Sequence, residues 1–131
     1  MAKGYDQHQE RLAALNLLGK DLSRRAKSHC ELCSAGGVSL RIFEVAPIPA
    51  EPDVDHCLML CETCIAQLAP RGRLNAPHWH CLETAAWSET PVIQVMAVRI
   101  LRQLPDERWA ADLLEGLYLF PEAKLWLESS A

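Results

Sequence analysis

The chain has 131 residues, half of them hydrophobic, which is enough apolar material for one compact core and excludes a disordered or fibrous class. Thirteen basic and seventeen acidic side chains leave a formal charge of −4, so no overall attraction to phosphate-rich polymers is expected and a nucleic-acid contact has to rest on a local patch. The opening stretch, MAKGYDQHQERLAALN, has no uninterrupted apolar run, and nowhere do about 18 apolar residues follow one another, so no membrane span is expected and a cytoplasmic location is.

In chain order, Leu12, Leu15, Leu18, Leu22 and Ala26 recur at steps of three and four, which predicts one amphipathic helix over 7–27 within an N-terminal helical segment, 1–28. Lys20, Arg24, Arg25 and Lys27 gather at its end, where cations complement the helix dipole. CELC follows, with Cys30 and Cys33, then a Ser-Ala-Gly-Gly turn at 34–37 and an alternating stretch, VSLRIFEV, that reads as a strand over 38–45. Three prolines and three acids in APIPAEPDVD, 46–55, prevent regular pairing and mark an exposed loop. A short apolar strand, 56–60, leads into CETC, with Cys61 and Cys64, and Glu62 to Leu68 suit a short helix ended by Pro70 and Gly72.

Residues 76–131 read as helical. HWHCLETAAW at 78–87 forms a turn or short helix, and 91–104 a well buried helix entered through Thr90 as cap and Pro91 with its φ already set. Asp106 is placed to cap a helix carrying Trp109, Leu113, Leu114 and Leu117, and Pro121 to open a last one with Leu125 and Trp126. The expected architecture is a single domain over 1–131, α+β and mostly helical, in which a small hairpin unit over 29–70 packs between N-terminal and C-terminal helices.

Six cysteines in a chain without a leader-like start point to metal binding more than to a disulfide scaffold. Each CxxC turns both sulfurs toward one point, and two such turns can close a tetrahedron of thiolates around one zinc ion, assigning Cys30, Cys33, Cys61 and Cys64 as its ligands. Knuckle, strand, loop, strand and a second CxxC at a helix start is the layout of a treble clef, and the helix start should favour the thiolate form of the second pair. Four protein ligands leave no place for water, so the expected role of the ion is structural and not catalytic. Cys57 reads as a small buried side chain, and His29 as a solvent-facing group or a support for a ligand. His78, His80 and Cys81 offer either a second ion site or a compact core motif around Trp79 and Trp87; Glu44 and His56 are a further pair that could meet on a metal.

The clef resembles the HNH endonuclease family, but Phe43 and Glu44 stand where that motif has paired histidines, its asparagine falls near Asp55 or His56, and Ile65 follows Cys64 in place of histidine. The resemblance therefore implies the scaffold without the water-activating histidine that such a nuclease needs. A longer resemblance spans SHCELCSA, IFEVAP, MLCETC, HWHCLETAAWSETPVIQVMAVRIL and WAADLLEGLYLFPE: in that order these are similar to the N-terminal domain of the PhnA-type zinc-ribbon proteins of bacteria, a family associated with alkylphosphonate-utilisation genes. Longer members of that family continue into a small β-rich domain.

Three functions follow as expectations. The first is a non-enzymatic module with one structural zinc that binds a protein partner or another copy of itself, using the helical half, with Trp79, Trp87, Trp109 and Trp126 as candidate anchors and Trp126 foremost. The second is nucleic-acid binding through Arg24, Arg25, Lys27, Arg41, Arg71 and Arg73 around the clef. The third is a phosphonate or phosphodiester hydrolase, for which the sequence offers no phosphate-cradling loop and no nucleophile with a base.

Overall fold

The computed structural model describes residues 2–129. Helices α1 (Ala2–Leu17) and α2 (Gly19–Ala26) precede strand β1 (Leu40–Glu44), strand β2 (Cys57–Cys61) and helix α3 (Glu62–Leu68). Helices α4 (Leu82–Ala85), α5 (Pro91–Arg102), α6 (Arg108–Gly116) and α7 (Pro121–Ser129) complete the chain, and single 3-10 turns lie at Val54–His56 and His78–Cys81. The fold is α+β and mostly helical, with one antiparallel hairpin among the described residues.

The hairpin is the wall between two cores. Its register pairs Leu40 with Cys61, Ile42 with Met59 and Glu44 with Cys57. Side chains alternate across a strand, and all five residues of β2 are buried because both its faces are covered. Cys57 and Met59 meet Leu22 of α2, with Leu15, Leu18 and Ile42 around them. Leu58 and Leu60 turn the other way, into the main core with Trp79, Leu82, Val95 and Ile100. The burial of Cys57 under α2 agrees with its reading as a small core side chain.

The single N-terminal helix expected over 7–27 is two helices, broken at Leu18, whose backbone stays in the helical region at φ −84° and ψ −13°. α2 enters the core through Leu22, which is fully buried, and α1 reaches it only at its end through Leu15; Leu12 is 41% exposed, so the earlier part of the apolar periodicity runs past the body it could cover. α2 ends in a Schellman closure, with Lys27 left-handed at φ 53° and the Ser28 N–H donating to the Ser23 carbonyl at 3.1 Å. That closure turns the chain into the first knuckle.

β1 is shorter than the expected 38–45, and β2 runs one residue further than expected, so that Cys61 is both the last strand residue and the cap of α3. α5 matches its periodicity, with Val92, Val95, Met96, Val98, Ile100 and Leu101 buried on more than one side against α4, α6, α7 and β2. Each such side chain stabilises the fold by about 1.5–3 kcal/mol relative to full exposure. Pro91 opens α5 as expected, but the Thr90 side chain makes no capping bond; its carbonyl accepts the Ile93 and Gln94 N–H groups at 3.0 and 3.2 Å. Asp106 is not the cap of α6, because the helix begins one residue later and Glu107 occupies that place, also without a side-chain bond.

Gln94 is the one polar residue buried as a whole among the described residues, and its side chain is fully used. Its Nε2 donates to the carbonyls of Ala86 and Tyr118, both at 2.8 Å, and its Oε1 accepts the Phe120 N–H at 3.0 Å. In this way α5 fastens the end of α4 and the 117–120 link to the body.

Candidate metal centre

The two CxxC turns converge. The first lies in the bend after α2, where the Cys30 N–H bonds to the Ala35 carbonyl at 3.0 Å and Ser34 takes a left-handed φ of 64°. The second straddles the β2–α3 junction, with Cys61 extended at φ −77° and ψ 164° and Cys64 in the first turn of α3. The hairpin brings them together, so that Sγ of Cys30 lies 3.8 Å from Sγ of Cys64 and Sγ of Cys33 lies 3.6 Å from Sγ of Cys61. All four sulfurs lie within 4.8 Å of one another, a group that could hold a metal ion. Cys30, Cys61 and Cys64 are buried and Cys33 is half-buried.

Thiols packed this closely cannot all carry negative charge together, so protons are divided among them. A hydrogen bond with Cys64 draws the Cys30 thiol down to about 4, against burial and with help from the backbone at Cys33, Cys61 and Leu32. Its partner Cys64 is pushed up by that same hydrogen bond and by burial. Burial pushes Cys33 up to about 12.

The first knuckle is stitched to β2 through a residue between its two cysteines. Glu31 accepts the Met59 N–H on Oε1 at 2.8 Å and returns its own N–H to the Met59 carbonyl at 2.9 Å. Its carboxylate, 2% exposed, also takes a two-point bond from Arg25, Nε to Oε2 at 2.8 Å and Nη2 to Oε1 at 2.7 Å. Arg25 further donates to the carbonyls of Val54 and Cys57 at 3.1 and 2.7 Å. One arginine therefore joins α2, the knuckle and the strand that leads to the other two cysteines. Sequence reasoning missed this pair; the available sign was an acid placed between two CxxC cysteines six residues after an arginine.

The remaining candidates are placed elsewhere. Glu44 does not meet His56 on a metal: it forms a two-point ion pair with Arg11, at 3.0 and 2.6 Å, and Arg11 also holds the Pro49 and Ala50 carbonyls. His56 lies against Trp126 with ring centroids 4.4 Å apart. His78, His80 and Cys81 do not converge as a second ion site among the described residues. His78 Nε2 reaches Cys64 Sγ at 3.3 Å, His80 stacks on Trp109 at 4.0 Å and bonds to Glu83, and burial pushes Cys81 up to about 11, with the charges of Cys30 and Cys61 adding. His29 bonds through Nδ1 to the Lys27 carbonyl at 2.6 Å and covers Gly36, where a Cβ would come within 2.8 Å of its ring.

Of the basic residues around the clef, Arg25 is committed to Glu31 and Arg41 pairs on the surface with Glu62 at 3.3 Å. Of the tryptophans, Trp79 is fully buried and Trp109 and Trp126 pack against the core. Trp109 and Trp126 are half-buried, and Trp87 is the one exposed tryptophan, at 46%. No helix is long and apolar enough to cross a membrane among the described residues. No protein-family model, curated protein or solved structure matches the chain.

Proposed function

We propose that the protein is a structural-zinc module of the PhnA-type kind, with one zinc ion on Cys30, Cys33, Cys61 and Cys64 and a helical half that binds another protein in the cytoplasm. The observation that carries this reading is the spacing of the sulfurs. Zinc–sulfur bonds of about 2.3 Å at tetrahedral angles place sulfurs about 3.8 Å apart, and the two closest pairs across the knuckles stand at 3.8 and 3.6 Å. Soft thiolate ligands in tetrahedral geometry suit zinc. Such an ion would supply folding energy to a clef made of two five-residue strands and a seven-residue helix, which bury little by themselves. With four sulfurs bound it has no position for a substrate or an acidified water.

Protein is favoured over nucleic acid as the partner because the clef arginines Arg25 and Arg41 already face carboxylates and the chain carries a net charge of −4. Trp87, Tyr118 and Leu125, at 46, 58 and 66% exposure, offer apolar contact on the helical half. A hydrolytic role loses its best acid, since Glu44 is held by Arg11. The purified chain is expected to contain one zinc per chain, lost together with the fold when Cys61 is replaced by serine. A Cys61→Ser protein that keeps a full zinc complement would refute the ligand set, and salt-sensitive binding to a DNA duplex would favour the nucleic-acid reading instead.

A further inference from the structure

The four sulfurs differ in what surrounds them. Cys33 borders solvent, whereas Cys64 is wholly buried, so water can support charge on the first and not on the second. A buried anion without a donor is costly. A side chain from outside both knuckles reaches this sulfur: His78 Nε2 lies 3.3 Å from Cys64 Sγ. His78 does not belong to the group of donor atoms that lie within 4.8 Å of one another. Its ring therefore reaches Cys64 without joining the four sulfurs.

That position is built. The His78 N–H bonds to the Asn75 carbonyl at 2.9 Å, and its ring meets Trp79 edge-on with centroids 4.8 Å apart. Trp79 is fully buried and donates its indole N–H to Gln67 Oε1 at 2.7 Å, and the same oxygen accepts the Asn75 N–H at 2.7 Å. Gln67 lies on α3, the helix that carries Cys64. Donor and sulfur are thus tied to one element, and their separation does not depend on a flexible loop.

We propose that His78 is a positioning residue of the metal centre, donating its Nε2–H to the Cys64 thiolate. The inference rests on the four-thiolate reading. A divalent ion and four thiolates carry a net charge of −2, and the N–H···S bond supports that charge at the sulfur that water does not reach. A neutral imidazole with its proton on Nε2 is sufficient. The bond makes the site tighter and slower to release its ion, as partners of ligands commonly do.

Cobalt(II) titration of the full chain tests this. The unaltered protein reads the four-sulfur site alone: without intense sulfur-to-cobalt absorption there, the four-thiolate reading fails and takes this inference with it. Given that band, His78→Phe, which keeps a flat ring but has no donor, is expected to weaken cobalt and zinc binding about 10–100-fold. It should also move the band to longer wavelength, because a hydrogen bond lowers the energy of the sulfur electrons that are promoted. His78→Gln, whose amide can place an N–H near the Nε2 position, should restore both. An unchanged band and affinity in His78→Phe would overturn the proposal. So would a His78→Gln protein impaired to the same degree, since packing and not the proton would then be what was lost.

Discussion

Replacing Arg25 by methionine keeps most of the stem that packs against β2 and removes the guanidinium. The Glu31 carboxylate, 2% exposed beneath Arg25, then keeps the Met59 N–H as its remaining hydrogen bond, and the Val54 and Cys57 carbonyls lose a donor. Charges about 4 Å apart at an effective dielectric near 20 attract by about 4 kcal/mol, and breaking a buried pair by deleting one partner costs about 3–5 kcal/mol. The expected loss is therefore about 4 kcal/mol. With a urea slope of about 2 kcal/mol per molar for a chain of this size, the unfolding midpoint of zinc-loaded protein should fall by about 2 M. Circular dichroism at fixed free zinc measures it. Glu31→Gln in the Arg25→Met background removes the stranded charge, so the double variant should recover part of the loss, a coupling of at least about 1 kcal/mol. Strictly additive losses in the double variant, or a midpoint shift below about 0.5 M for Arg25→Met, would refute the claim that this pair holds the first knuckle against β2.

Zinc affinity should fall as pH falls: Cys33, held up to about 12 by burial, and Cys64, raised by its bond to Cys30, both carry protons at neutral pH that the ion must displace. At least two protons released give at least about a hundredfold weaker binding for each unit of acidification, and a competition titration at pH 6.5 and 7.5, corrected for the chelator, checks this; a change below about tenfold would contradict it. Gln94→Leu leaves two carbonyls and one N–H without their partner, at about 1 kcal/mol each, which corresponds to a melting point roughly 10 °C lower. A Gln94→Leu protein as stable as its parent would mean that the 117–120 link is held by packing alone.

Much of the fold was legible in local order. Helix α3 lies over the expected residues and α5 starts where Pro91 places it, because apolar period and turn chemistry act over a few neighbours. The exposed part of α1 was not legible: Leu12 keeps the helical spacing of Leu15 and Leu18, but periodicity cannot say whether a body lies opposite. The doubled CxxC named the metal group directly, since each turn fixes two sulfurs within four residues and leaves only the meeting of the two turns to the hairpin.

The sequence by itself thus determined the element types and the four clustered sulfurs. Tertiary structure alone decided the partners of the side chains around them: Arg11 claims Glu44 from 33 residues away, Arg25 closes on the acid between two of the clustered cysteines, and His78 reaches Cys64 from 14 residues on. Periodicity and spacing encode the direction in which a side chain leaves its own element. The partner it finds there depends on how α2, the hairpin and the 75–79 segment pack, and a buried charge or buried sulfur accepts whichever donor that packing brings within about 3 Å.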